Sequence, residues 1–191
     1  MSRGSGLITM RGLAAFTTGA LAAVIASRIL PPIVAQVAGS AQAAAGRDPF
    51  DGLAEDHRII LSLLDRMTSS PDNAVFDRTQ LLLRLKRRLS AHAVAEEDVV
   101  YPLLHGRAHE EDDTMHLYSE HAEMKMHLFN LEQMPKSDPR WRGIATELRD
   151  LIAGHVKQEE EVDFPKLRAV LDQKETAMMS GGVQREKALL L

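Results

Sequence analysis

The sequence contains no cysteine in its 191 residues. Disulfide bridges, thiolate zinc sites and cysteine-ligated iron–sulfur clusters are therefore excluded. Aromatic residues make up only 4% of the chain, whereas Leu, Ala, Glu and Arg are plentiful. This composition favours helix over sheet. Any metal site in such a protein must be built from His, Asp and Glu side chains.

Positive charge is also in short supply, since the formal net charge is −4. Residues 1–50 hold four arginines against one aspartate, a balance of +3, so the remaining residues carry −7. A nucleic-acid-binding domain needs a basic face or stripe. The charge distribution shows none, and we predict no nucleic-acid partner.

An uncharged stretch near the N-terminus permits three interpretations. Residues 12–27 carry no charge and follow Arg3 and Arg11. As a helix they span roughly 24 Å, slightly less than the ~30 Å hydrocarbon core of a bilayer, and residues 29 and 30 add length. The favoured hypothesis is a membrane anchor within residues 12–30. The alternatives are a signal sequence of a periplasmic or exported protein, and an Ala-rich helix of a cytoplasmic one.

Composition divides the chain into three regions. Residues 34–46 are uncharged and rich in Ala, Gly, Ser and Gln, which indicates a linker. We therefore predict an N-terminal segment with its linker (1–50), a helical domain (51–170) and a C-terminal helix or tail (171–191). The last residues, 180–191, are expected to fray.

Apolar residues recur at steps of three and four from Asp51 onward, which is the spacing of amphipathic helices. Polar breaks fall at residues 68–73, 105–114 and 134–139. Four such helices joined by short connections predict an all-α fold, an up-down-up-down antiparallel four-helix bundle. A hydrophobic helix precedes the bundle and a short C-terminal helix follows it.

Two segments of the chain repeat each other. Residues 92–102 read HAVAEEDVVYP and residues 155–165 read HVKQEEEVDFP. His57 and His121 are spaced similarly, and each follows an acidic residue. The repetition indicates an internal duplication of a helical hairpin.

Six polar residues occupy positions in these apolar stripes where a leucine is expected. A buried, unpaired carboxylate costs several kcal/mol or takes up a proton, so a shared partner is needed. Four imidazoles and two carboxylates are many ligands for one ion, which favours two ions bridged by the glutamates. This donor set suits Fe, Mn or Zn more than Ca or Mg. The predicted metal ligands are His57, His92, Glu96, His121, His155 and Glu159.

Other polar residues near these positions are assigned lesser roles. Glu97 and Glu160 point away from the histidine of their own helix and are placed on an outer face or behind a ligand. Asp56 and Glu120 could each orient a ligand imidazole, but the favoured interpretation is a solvated charge. Three further histidines are assigned to the surface, namely His105, His109 and His127.

The doubled motif resembles the hemerythrin-like (HHE cation-binding) family over about residues 51–170. The resemblance implies a four-helix bundle with a non-haem centre of two Fe ions, bridged by carboxylates and by an oxo or hydroxo group. It implies the same six ligands. Mn and Zn are alternative metals.

The chain departs from particular members of that family. Oxygen-carrying hemerythrins have His-x-x-x-His on the third helix, whereas Lys125 stands four residues after His121. The four-His, two-Glu set looks more like the repair-of-iron-centres proteins, which usually carry a Cys-containing N-terminal part. Ferritin-like proteins use Glu-x-x-His pairs, and no such pair occurs here.

The resemblance implies a di-iron protein that interacts with O2, NO or peroxide, in sensing, iron handling or a stress response. A second hypothesis is a structural or interaction module whose bundle is held by a redox-inert metal such as Zn. No Ser-His-Asp arrangement, phosphate loop or nucleotide fingerprint supports another enzyme class. The sequence makes no prediction of oligomeric state or of catalytic turnover.

Overall fold

A computed structural model of the protein describes residue 27 and residues 30–191. All regular structure in this part of the chain is helical, as the sequence predicts. Two π-helical turns, Glu96–Val100 and Glu159–Asp163, interrupt otherwise continuous helices. The helices are α1 (30–44), α2 (Asp51–Thr68), α3 (Val75–Ala95), α4 (Tyr101–Ala108), α5 (Glu111–Gln133), α6 (Trp141–Gln158), α7 (Phe164–Val170) and α8 (Gln173–Leu190).

Helices α2, α3, α5 and α6 form the predicted bundle. Helix α2 packs between α3 and α6, and α5 packs between α6 and α3, so the four helices close a ring. Each π turn joins a bundle helix to a shorter helix, α3 to α4 and α6 to α7. The connections between neighbouring helices are short, which makes those neighbours antiparallel.

Two apolar clusters occupy the interior at different levels of the bundle. One contains Ile60, Leu85, Leu131 and Trp141 with their neighbours. The other is built around Phe50, Leu104, Leu117, Phe164 and Val183. Both clusters are buried, and the six predicted ligands lie outside either of them. Apolar packing therefore leaves a polar layer within the core.

The connection between the two hairpins is shorter than predicted. Helix α4 continues to Ala108 and α5 begins at Glu111, so only two residues of the predicted polar segment 105–114 lie outside helices. His109 ends α4 in the left-handed conformation, with φ of 57°. Its backbone N–H bonds to the carbonyl of Leu104, which is fully buried. Burial of Leu104 thus keeps the chain helical as far as Ala108, although the sequence at this end of the helix is polar.

The C-terminal region is helical rather than frayed. Helix α8 starts with a capping box, in which Asp172 accepts from the N–H of Glu175 and Glu175 accepts from the N–H of Asp172. Ser180 and Val183 are buried along its length. The expectation that residues 180–191 fray is wrong, because this tail packs on α3 and the first π turn.

The region predicted as a linker is also helical, since α1 covers residues 30–44. Small residues let α1 approach α8 closely: Ser180 Oγ donates to the carbonyl of Gly39 at 2.9 Å. A Cβ atom on Gly39 would lie 2.7 Å from the carbonyl oxygen of Ser180, too close for any side chain. The Ala/Gly/Ser composition therefore reflects close helix packing here.

The predicted membrane localisation requires correction. Across the described residues, no helix combines the length and the apolar character that crossing a membrane demands. Of the predicted anchor at residues 12–30, residues 12–26, 28 and 29 lie outside the described part of the chain.

A buried arginine, Arg78, stabilises the end of the bundle at the turn between α2 and α3. Arg78 is fully buried and donates to the carbonyls of Ser70 and Lys136, and to the side chains of Ser70 and Asp72. Its guanidinium lies 4.9 Å from the ring centre of Trp141. One side chain therefore connects the α2–α3 turn with the α5–α6 turn.

Replacing this arginine by methionine, Arg78→Met, should lower the free energy of unfolding by about 3 kcal/mol, because several buried acceptors lose their donor. Chemical denaturation of the metal-free protein measures the change. Arg84→Met is the control, since Arg84 is exposed on the same helix. Equal stability of the two variants would contradict the role assigned to Arg78.

Candidate metal centre

All six predicted ligand residues come together inside the bundle. His57 extends from α2, His92 from α3, His121 from α5 and His155 from α6. Glu96 and Glu159 each open a π turn. None of the six is more than 2% exposed. The polar layer between the apolar clusters is therefore formed by these side chains.

The six side chains form two groups that share one carboxylate. His57, His92, Glu96 and Glu159 form the first group, whose potential ligand atoms lie within 4.8 Å of one another. Glu96, His121 and His155 form the second group by the same measure. Each group offers imidazole and carboxylate donors, and Glu96 is available to both.

Both glutamates lie between histidines of different helices. One oxygen of Glu96, Oε2, is 3.1 Å from His92 Nε2 and 3.6 Å from His121 Nε2. Glu159 Oε2 is 3.2 Å from His57 Nε2 and 3.4 Å from His155 Nε2. The Nε2 atoms of His121 and His155 are 3.2 Å apart. All four imidazoles therefore direct Nε2 toward the carboxylates.

The π turns alter which side chains face this centre. In each turn a backbone N–H bonds five residues back, from Tyr101 to Glu96 and from Phe164 to Glu159. Such turns are rare and often occur at functional sites. The wider turn brings Tyr101 and Phe164 onto the inner face, where both are buried.

A second layer of carboxylates lies behind the imidazoles. Three of the Nδ1 atoms are 2.8–2.9 Å from a carboxylate oxygen. A histidine that donates its Nδ1–H outward keeps the Nε2 lone pair for a metal at the centre. The pairs are His57 with Glu160, His121 with Glu97, and His155 with Glu120.

Two acidic residues interpreted from sequence as solvated charges belong to this layer. Asp56 is 2% exposed and its Oδ2 lies 3.6 Å from His92 Nδ1. Glu120 bonds directly to His155. The favoured interpretation was wrong and the alternative agrees with the structure, because each carboxylate faces a histidine of a neighbouring helix. Spacing within one helix does not reveal this relation.

The centre leaves polar atoms unsatisfied in a way that fits a cation. His57 Nε2, both oxygens of Glu96 and Glu159 Oε2 are buried and make no hydrogen bond with any described residue. Buried polar atoms without partners are costly, and a cluster of them is a recognised sign of an ion that occupies the space. These donors suit a transition metal, so the residues present fit a metal centre.

The family comparison agrees with this geometry. Residues 48–167, more than half of the chain, match the hemerythrin HHE cation-binding domain family. The chain belongs to this family. With its buried His and Glu clusters it is a metal-binding hemerythrin-like protein. No solved structure matches it.

Two relatives share similarity with this hemerythrin-like chain. A DNA nickase of Nostoc sp. is 31% identical over 126 residues, which cover 66% of the chain but only 35% of the nickase. An uncharacterized hemerythrin-like protein of Schizosaccharomyces pombe is 28% identical over 139 residues, covering 72% of the chain and 68% of that protein. The chain thus spans about a third of the nickase's length.

Two inward side chains were missed from the sequence, and both lie where the repeats differ. Tyr101 corresponds to Phe164; its hydroxyl donates to Glu159 Oε1 at 2.9 Å and lies 2.9 Å from His121 Nε2. Asp163 occupies the position of Val100 in the other copy, and burial raises its pKa to about 6. An alignment of the two repeats, searched for polar groups that one repeat has and the other lacks, would have found both.

Protons balance the buried charges when no metal is bound. Burial opposes a charge on His57, yet the neighbouring carboxylates of Glu159 and Glu96 raise its pKa to about 11. Burial likewise opposes a charge on His155, but Glu159 and Glu120 raise its pKa to about 10. The same interactions lower the pKa values of both central glutamates against the effect of burial. At neutral pH the metal-free centre therefore holds imidazolium–carboxylate pairs.

Metal binding should release these protons, because a metal needs the Nε2 lone pair. At pH 7, below the raised pKa values, we expect about two protons to leave His57 and His155 upon full loading. Apparent affinity should accordingly rise with pH toward 10. Calorimetric titration in buffers of different ionisation enthalpy measures the release, and metal uptake without proton release would contradict the charge balance.

The outer carboxylates should matter nearly as much as the ligands. Glu120→Ala removes the partner of His155 and should lower metal affinity by about 10–100-fold. Competition with a chelator gives the affinity. Glu123→Ala is a matched control, because Glu123 lies on the same helix but is exposed, and within the described part of the chain its one ion pair is with His127, at 3.8 Å. The role of Glu120 is refuted if both variants bind metal as the unaltered protein does.

Proposed function

We propose that the six central side chains hold two iron ions and that the centre binds a small diatomic molecule or oxidant, namely O2, NO or peroxide. The arrangement that carries this proposal is the pair of ligand groups that share Glu96. With one ion in each group, the four imidazoles would be divided between the two ions. Each glutamate lies between a histidine of the first group and a histidine of the second, so it could serve both ions.

The donor set favours iron over other metals. Imidazole with carboxylate suits Fe, Mn and Zn, whereas Mg and Ca prefer oxygen ligands alone. A structural zinc site is usually closed by four ligands, while six shared residues leave coordination positions open. Bound iron would supply reversible electron transfer to a small ligand. The protein residues hold the geometry, orient the imidazoles and exclude water.

A cavity beside the second group supports a small, weakly polar ligand. It has a volume of about 220 Å³ and reaches His121 from between α3 and α5. Its wall includes Leu89, Ala93, Met124 and Leu128. This space is apolar and can admit a diatomic gas beside the proposed ligand His121.

Lys125 does not take the place of a fifth histidine. Its side chain is 58% exposed and bonds to Glu97 at 2.7 Å, outside the central group. Glu97 in turn bonds to His121. The lysine therefore supports an outer carboxylate and offers no ligand to the centre. The centre would therefore serve in sensing, iron handling or a stress response, which do not need the ligand set of an oxygen carrier.

The alternative function, a bundle held by redox-inert zinc, predicts a different response to gases. Anaerobic loading with Fe(II) should give about two irons per chain, with an optical spectrum that changes on addition of O2 or NO. A tight, colourless zinc form that neither gas alters would support the structural module.

Single substitutions test the ligand assignment. Glu96→Ala removes the carboxylate shared by both groups, so iron content should fall from about two ions to one or fewer. Elemental analysis of anaerobically loaded protein measures the loss. His109→Ala is the control, because His109 is exposed at the end of α4. Equal iron loss in both variants would refute the assignment.

A further inference from the structure

Helix α8 lies beyond the family-matched residues 48–167, yet it reaches the metal centre. It packs against α3 and the first π turn, where a Cβ on Gly182 would lie only 3.1 Å from a methyl carbon of Val99. Lys187 extends from the buried face of α8 and is 8% exposed. Its ammonium group forms an ion pair with Oδ2 of Asp56.

Asp56 is engaged at both of its oxygens. Arg88 donates to Oδ1 at 2.9 Å, and Lys187 pairs with Oδ2. The same Oδ2 is the oxygen that faces His92, but it lies 3.6 Å from Nδ1, beyond hydrogen-bond distance. The His92 Nδ1 atom is buried and has no hydrogen-bond partner within the described part of the chain.

His92 thus differs from the other three central histidines. Each of those has an Nδ1 contact of 2.8–2.9 Å to a glutamate. An outer carboxylate fixes the ring orientation of a ligand histidine and increases its basicity. His92 faces Asp56 on its outer side, and Arg88 and Lys187 compete with it for that single carboxylate.

We propose that Lys187 is a positioning residue that weakens His92 as a ligand by holding Asp56 Oδ2 away from it. The proposal rests on the proposed function, in that His92 is taken as a metal ligand. It makes the first group, with His57 and His92, the more labile metal position. Because coupling is reciprocal, the docking of α8 and the strength of metal binding at that position depend on each other.

The contact between α1 and α8 keeps the lysine in place. Ser180 bonds to the carbonyl of Gly39, and the absence of a side chain on Gly39 allows the two helices to touch. Helices α1 and α8, both outside the matched family domain, therefore influence the surroundings of His92.

The test replaces the lysine by a neutral side chain of similar length, Lys187→Met, and uses Co(II) as the probe. In the Co(II) protein each ligand imidazole N–H gives a paramagnetically shifted proton signal, which exchanges slowly when it is hydrogen-bonded. In the unaltered protein we expect three slow signals and one fast one. In Lys187→Met the fourth signal should become slow, and release of the more labile Co(II) to a chelator should slow by about 10-fold.

Arg88→Met is the matched control, since it removes the same charge from the same carboxylate but acts on Oδ1. It should leave the His92 signal fast, and Lys187→Arg should do the same. If Lys187→Met releases Co(II) as fast as the unaltered protein, or faster, the lysine merely supports Asp56 and the proposal is overturned. An unaltered protein that binds neither Co(II) nor Fe(II) would overturn the proposed function as well.

Discussion

Two carboxylates buried in the centre of a helical bundle are the constraint on which the rest of this structure depends. Glu96 and Glu159 have no access to solvent, and each would cost several kcal/mol as an isolated charge in such surroundings. Four imidazoles surround them, and the buried carboxylates raise the pKa values of His57, His92 and His155 in the metal-free form. Apolar clusters at other levels of the bundle exclude water, so the polar layer needs positive charge from protons or metal ions.

Two consequences of this constraint are visible in the backbone and in the outer layer. The π turns begin at the two glutamates, which lets a residue five positions later return to the inner face. The acidic residues behind the imidazoles orient them and offset their charge. The two copies of the repeat share this arrangement but differ in detail: Tyr101 brings a hydroxyl to the centre, whereas the ring of Phe164 stacks on Phe50 at 4.6 Å.

The sequence was sufficient to predict the four bundle helices and the meeting of six polar residues. Helical periodicity is a property of one segment, and a polar residue in an apolar stripe stands out in that segment alone. The sequence placed Glu97 and Glu160 on an outer face or behind a ligand, but it could not decide the role of Asp56 and Glu120. These two residues face histidines of other helices, and the relative rotation of helices is set by packing. Tyr101 points inward because a π turn precedes it, and a pattern that assumes 3.6 residues per turn places this side chain on the wrong face. Helix α8 has a weak apolar stripe and is held by small residues instead.

The arrangement of the outer layer bears on how members of one family can differ. The family match extends over residues 48–167 and includes the six central residues together with Asp56, Glu97, Glu120 and Glu160. Lys187 and α1 lie outside it: Lys187 pairs with Asp56, and α1 contacts the helix that carries Lys187. A lysine that withdraws one carboxylate oxygen from one histidine changes ring orientation and basicity without changing a ligand. Differences in metal retention between relatives with the same ligands can therefore arise in segments that a comparison of the shared domain does not cover.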